Sequence, residues 1–299
     1  MITFDSGALH HIYQRAVDLG VIFYSDKDRL VYYTLAAVKS KQHNVRVAAA
    51  AIMYTHIHQS VQVDGVHAID GYLHDLNTSF ARLYNHHYSR KGELFQKPPG
   101  KSQKLSSKSK RSNIIYVFNN HVEKGLCQRA ENERWSLLAY ATSESPFSQP
   151  LNVKTCSRRL LRAKKLVDRR VDTGKALEYI DLDGLFSELS ETEREQFIDY
   201  SIIRYSLIDF RMAASLFDGM QNLIISVHSS VGNEYDIKED RTKFKDTAYV
   251  KLCKYAHSNG FLMSIYSMDD KKRREIIQKT KRETGICDFL IGRFFHISG

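Results

Sequence analysis

The 299-residue sequence predicts an α+β fold, an antiparallel sheet covered by helices, with a mostly α-helical C-terminal half. Two patterns lead there. Period-two and helical apolar spacing take turns over the first 150 residues, and after residue 150 helical spacing is almost all that remains. A third observation, 42% hydrophobic residues with 17 Tyr and 15 Phe, supplies enough apolar surface for a sizeable core and two domains.

The elements follow in chain order. LHHIYQRAV (9–17) reads as a strand. SDKDRLVYYTLAAVKSKQ (25–42) opens with Ser25 as a helix cap, puts acids in the first turn where the helix dipole favours them, and continues with helical spacing. VRVAAAAIMY (45–54) and HIHQSVQV (56–63) read as strands. Over 66–88, Ile69, Leu73, Leu76, Phe80, Leu83 and Tyr84 form one helical stripe. GELFQKP (92–98) reads as a further short strand. Residues 106–126 carry Ile114, Ile115, Val117, Phe118, Val122 and Leu126 on a helix that stops near Gly125. The order is β-α-β-β-α-β-α. The Pro146 to Pro150 segment marks a boundary between a first domain, 1–145, and a second, 150–299. In the second, 173–217 is helical with an interruption expected at Gly184, and 247–261 holds a helix ended by Gly260. The last stretch, 268–299, resembles the opening of a helix-turn-helix: a basic helix, a break at Gly285, an apolar helix and the HISG turn.

A formal charge of +10 favours a polyanionic partner, and nucleic acid is the obvious one. No run of about 18 apolar residues is present to span a bilayer. The start, MITFDSGALHHIYQR, lacks the basic-then-apolar layout of a secretory signal, so an intracellular, cytoplasmic protein with no membrane partner is expected. Cys127, Cys156, Cys253 and Cys287 show no CxxC spacing, which argues against a zinc knuckle or a disulfide framework and for reduced thiols. Basic residues gather twice. Arg90, Lys91, Lys97, Lys101, Lys104, Lys108, Lys110 and Arg111 stand with one acid, Glu93, and the Pro98-Pro99-Gly100 turn and serines suggest a mobile loop. Arg158, Arg159, Arg162, Lys164, Lys165, Arg169 and Arg170 form the second cluster. Each alone would read as a solvated face; two flanking one site put phosphate binding on an equal footing with that reading.

That site starts at MYTHIHQSV (53–61). Alternation puts His56 and His58 on one face of a strand, a few ångströms apart, a spacing at which two imidazoles can hold one metal ion. Paired strand histidines are more often structural, so the pair gains weight only from its surroundings. His10 and His11, like His86 and His87, are adjacent, point to opposite faces, and are assigned to structure or DNA contact.

HHIYQRAVDLGVIFYSDKDR, AIMYTHIHQSV, YNHHYSRKGELFQ and IIYVFNNHVEKGL, in this order over about residues 5–140, resemble the single-tyrosine HUH transposases, and among them the REP-associated tyrosine transposases. The resemblance implies a ferredoxin-like or RRM-like HUH domain and a bacterial single-strand DNA endonuclease and strand transferase. It would act on hairpin DNA such as REP-like palindromes through a divalent ion, Mg²⁺ or Mn²⁺, and a covalent 5′-phosphotyrosine. Tyr116 is then the nucleophile and His56 and His58 are metal ligands. Asn120, four residues after Tyr116 on the same helical face, is the third ligand, with Asn119 a competing amide and His121 where the family often has proline. Arg15, Arg90, Lys97, Lys101, Lys104, Lys108, Lys110 and Arg111 are expected to contact DNA, the metal site to be exposed, and the chain to be a monomer or homodimer, nucleoid-associated when bound. Two other readings compete: a related HUH protein that initiates replication or conjugation, and a domesticated, catalytically idle hairpin-binding module.

Overall fold

Alternation along four strands decides what each face of the sheet can do. The computed structural model describes residues 7–65, 67–230 and 246–297. Strands β1 (Leu9–Arg15), β2 (Val45–Ile52), β3 (His56–Val63) and β4 (Gly100–Lys104) form an antiparallel sheet in the order β2-β3-β1-β4. Helix α1 (Asp26–Gln42) starts where expected: Ser25 accepts from the Asp28 amide and Asp28 reaches back to Ser25. Helix α2 (Ala68–His87) begins just after Val66, which lies outside the described residues.

One face of the sheet is an apolar core. Ile12, Ile57 and Val61 pack with Tyr72, Leu73, Leu76 and Phe80 of α2 and with Val31 and Tyr32 of α1. The other face is covered by α3 (Ser107–Glu123), whose Ile114, Val117 and Phe118 sit among Ala48, Ala49 and Ala51 of β2. Methyl side chains on the strand let the helix approach closely, which is why a run of alanines works here as a strand. A register shift between Val47 and Ala49 interrupts the β2–β3 ladder.

Two sequence readings need correction. GELFQKP is not a ladder strand: only Phe95 bridges, to Ala16, and the fourth strand is the lysine-bearing Gly100–Lys104. Within the stretch expected to be a mobile loop, residues 100–104 therefore pair residue for residue with β1, since a polar strand is acceptable at an edge where one side faces water. Gly184 does not interrupt a helix; it lies inside α5 (Tyr179–Glu188), and the break falls at Leu189 and the Ser190 cap of α6 (Glu191–Tyr205).

The C-terminal half adds α4 (Arg158–Asp172), α5, α6, α7 (Phe210–Ser215), α8 (Met220–Ser229), α9 (Thr247–Ser258), α10 (Asp270–Thr284) and α11 (Asp288–Phe294). It shares the apolar core of the sheet: the Tyr33 hydroxyl donates to the Ile202 carbonyl at 2.8 Å and accepts from the Leu207 amide at 3.1 Å. Past α6, the Asp209 amide donates to the Val47 carbonyl at 2.8 Å, so the outer edge of β2 is partly capped. The basic helix α10 ends at Gly285 with φ +68, as its sequence suggests, while Ser298 and Gly299 of the HISG turn lie outside the described residues. No helix is long and apolar enough to cross a membrane, among the described residues.

Candidate active site

The register sets the site. Tyr13 pairs with His58 and Arg15 with His56, so β1 and β3 send Tyr13, Arg15, His56 and His58, together with His11, to the face that α3 covers. The two histidine rings lie 4.9 Å apart, edge to face. Tyr116, in the middle of α3, packs its ring 5.5 Å from His58 and 5.6 Å from His11. The expected juxtaposition of Tyr116 with the histidine pair is thus present. The expected exposure is not: His58 is 0%, His56 6% and Tyr116 8% exposed, because α3 closes over them.

Both ligand candidates are oriented through Nδ1. His11 Nε2 is 3.0 Å from His58 Nδ1, and the Thr55 hydroxyl is 2.8 Å from His56 Nδ1. A proton on each Nδ1, donated to His11 Nε2 and to the Thr55 oxygen, would make Nε2 the nitrogen a divalent ion takes from each ring. Burial, reinforced by His11, Lys124, Arg15 and His121, holds His58 well below the usual histidine range, so it is neutral, the form that ligates metal. Tyr13 stacks on His58 at 4.8 Å, and the Arg15 guanidinium lies 4.4 Å above the Tyr13 ring.

The amides differ. Asn119 donates to the Val227 carbonyl of α8 at 2.8 Å and so ties two helices together. Asn120 is also buried, one turn beyond Tyr116. Next to it His121 is pushed down to about 3, first by burial and then by Arg29, against a raising contribution from the Ile52 backbone, which makes it a neutral core residue. Among the described residues no group of three or more His, Cys, Asp or Glu is arranged to hold a metal. The two imidazoles by themselves are too few donors for Mn²⁺ or Mg²⁺, which would need oxygen ligands from an amide, substrate or water beside them.

The expected DNA contacts divide. Arg15 belongs to the site. Arg90 is spent on the fold, donating to the Gly92 and Glu93 carbonyls and to Asn85. Lys97 pairs with Glu93 at 2.7 Å and Lys101 pairs with Asp70. Lys104 is half-buried on β4 and Lys108 is exposed at the start of α3. Arg111 reaches the Leu216 carbonyl at 3.4 Å, and Lys110 lines a cleft beside it. In the second basic cluster, Arg162, Lys164 and Arg170 pair with Glu188, Asp168 and Asp181, each at 2.7 Å. The sequence pattern gives Tyr13 and Thr55 no role and His11 only structure or DNA contact. The signal for His11 was available: if adjacent His10 and His11 face opposite ways, one of them must join His58.

No family model matches the chain, and no curated protein matches it. Among solved structures, it is similar to a REP-associated tyrosine transposase bound to a REP hairpin, with 11% identity, 52% of this chain and 93% of that chain covered, and a TM-score of 0.42.

Proposed function

We propose that the chain is a metal-dependent single-strand DNA endonuclease and strand transferase of the REP-associated type, acting on hairpin DNA. What supports the reading most is one observation, the Tyr116 ring packed 5.5 Å from a histidine whose other ring nitrogen is already anchored. Residues 1–145 act as the catalytic unit, and the helical 150–299 reads the structured part of the substrate.

Tyr116 Oη attacks the phosphorus of one linkage, a tyrosyl–phosphate bond forms as the bond to the departing 3′-oxygen breaks, and the proton lost by the phenol to water is balanced by one taken from water by the 3′-oxygen, which leaves as a free 3′-hydroxyl. The phosphodiester energy is retained, so the reverse attack by a 3′-hydroxyl rejoins the strand without a nucleotide cofactor. His56, His58 and Asn120 are the residues that would hold a divalent ion, whose chemistry there would be to offset the charge of the phosphate. His11 and Thr55 keep the two imidazoles in place, and Arg15 adds positive charge beside them.

A labelled hairpin incubated with Mg²⁺ or Mn²⁺ should give a denaturation-resistant protein–DNA adduct. Tyr116→Phe should bind the hairpin nearly as well as the parent and give none; an adduct on that variant would remove Tyr116 from the role. One observation favours a second reading, an idle hairpin-binding module: the depth of the site, with Tyr116 only 8% exposed. That reading expects hairpin binding without an adduct in the parent under either metal.

A further inference from the structure

Two residues before His11 on the same face of β1, Leu9 lines an open cleft of about 390 Å³ between the sheet and α7. Three cations from three elements line it: Arg46 of β2, Lys110 of α3 and Arg211 of α7. Its carboxylate is Asp209, which is already committed. Asp209 accepts from the Met212 amide at 2.9 Å, capping α7, and stands 4.0 Å from Arg46, which also donates to Gln62. Arg46 and Arg211 are exposed and Lys110 is half-buried, so the cleft is wet and positive by two charges. Three cations drawn from separate elements around one acid cost folding through self-repulsion, and an anion in the cleft would relieve it.

The place of the cleft says which anion. Leu9 to His11 is about 7 Å along a strand, and Lys110 to Tyr116 is about 9 Å along a helix. Both spans are of the order of the phosphate repeat of an extended single strand. We propose that the cleft is a phosphate subsite for the polynucleotide backbone, holding a linkage close to the one presented to Tyr116 and so fixing the direction in which the strand crosses the site. The inference rests on the proposed tyrosine chemistry for the word direction, but the subsite itself is a matter of binding.

The test is therefore made in Tyr116→Phe, which has no nucleophile. Fluorescent single strands carry one neutral methylphosphonate at a time, and binding is followed by anisotropy. In the Tyr116→Phe parent, one linkage should weaken binding about tenfold when neutralised, the size of one charged hydrogen bond. Adding Arg211→Ala should erase the sensitivity at that linkage alone. Arg211→Glu, at an exposed position, should weaken binding further and spare the remaining linkages. Millimolar inorganic phosphate should compete with the strand in the parent and less in Arg211→Ala. A methylphosphonate profile unchanged by either Arg211 substitution, or phosphate competition equal in both proteins, would overturn the subsite. A linkage-specific effect here, with no adduct from the wild-type chain, would instead remove the nickase reading and leave the cleft.

Discussion

On the side turned to α1 and α2, strands β1 and β3 present Ile12, Gln14, Ile57, Gln59 and Val61; on the side turned to α3 the same strands present His11, Tyr13, Arg15, His56 and His58. Both sides bury polar groups, yet they treat them differently. Gln14 accepts from Asn77 and donates to the Gln96 carbonyl, and Gln59 is bonded to Tyr72 and Tyr32, so each amide is tied into the scaffold. Across the sheet, the polar groups bond to one another, His11 to His58, and stack with tyrosines. One peptide therefore carries a structural half and a chemical half on alternate residues, and substitutions at neighbouring positions should have separable effects.

The largest contrast is between His58 and its neighbour. His58→Ala should abolish the DNA adduct at any ordinary Mg²⁺ or Mn²⁺ concentration. Ile57→Ala should cost about 2–5 kcal/mol of stability and keep the adduct below its lowered melting temperature. Melting curves paired with adduct gels decide this; a folded Ile57→Ala that makes no adduct would mean the faces are not independent. Next comes Ala51, which pairs with His58 in the ladder and lies within the α3 packing. Ala51→Leu should lose about 1–3 kcal/mol by overpacking, yet lower adduct formation by up to about 100-fold by lifting Tyr116 away. Equal percentage losses in both measurements would argue against that displacement.

His11→Asn should leave folding almost intact and raise the Mn²⁺ concentration for half-maximal adduct by about 10- to 100-fold, the usual effect of losing a ligand's anchor. An unchanged metal titration would make His11 a packing residue. A smaller effect should appear at the far end of α3. Burial raises Asp246 from 3.8 to about 6 despite Lys124 and Arg293. Its folded-state value is the higher one, so its contribution to stability is fully present below about pH 4 and is lost as pH rises through about 6. Asp246→Asn should recover up to about 3 kcal/mol at pH 7 and flatten that part of the stability profile; a profile of unchanged slope would show that the carboxyl titrates normally. The smallest effect is expected at exposed Lys108, where alanine should flatten the log–log salt dependence of strand binding by about 0.7.

Much of this was legible because it is periodic. The β-α-β-β-α-β-α order, the Ser25 cap and the shared face of His56 and His58 follow from spacing and residue type, whereas the choice of Tyr116 rests on the resemblance, since periodicity alone does not separate it from the apolar stripe of its helix. What spacing misses is pairing across distance. Lys101 looks like a DNA contact until Asp70, 31 residues earlier, is found beside it, and Arg90 until its carbonyl partners are seen. The fourth strand differs from its sequence expectation for a related reason: GELFQ has strand-like residues and GKSQK does not, but pairing with an outer edge asks little of side chains. Gly184 does not break its helix because an exposed helical glycine with open space around it costs only about 1 kcal/mol.

The unequal edges of the sheet bear on assembly. β2 is partly obstructed on its outer side by the bond from Asp209 to Val47, whereas among the described residues no strand pairs with the outer side of β4, which carries two lysines. A sheet with one edge obstructed accepts an added strand more readily at the other. If two copies joined through β4 about a two-fold axis, growth would stop at the pair, and the same interface could not propagate into a fibre.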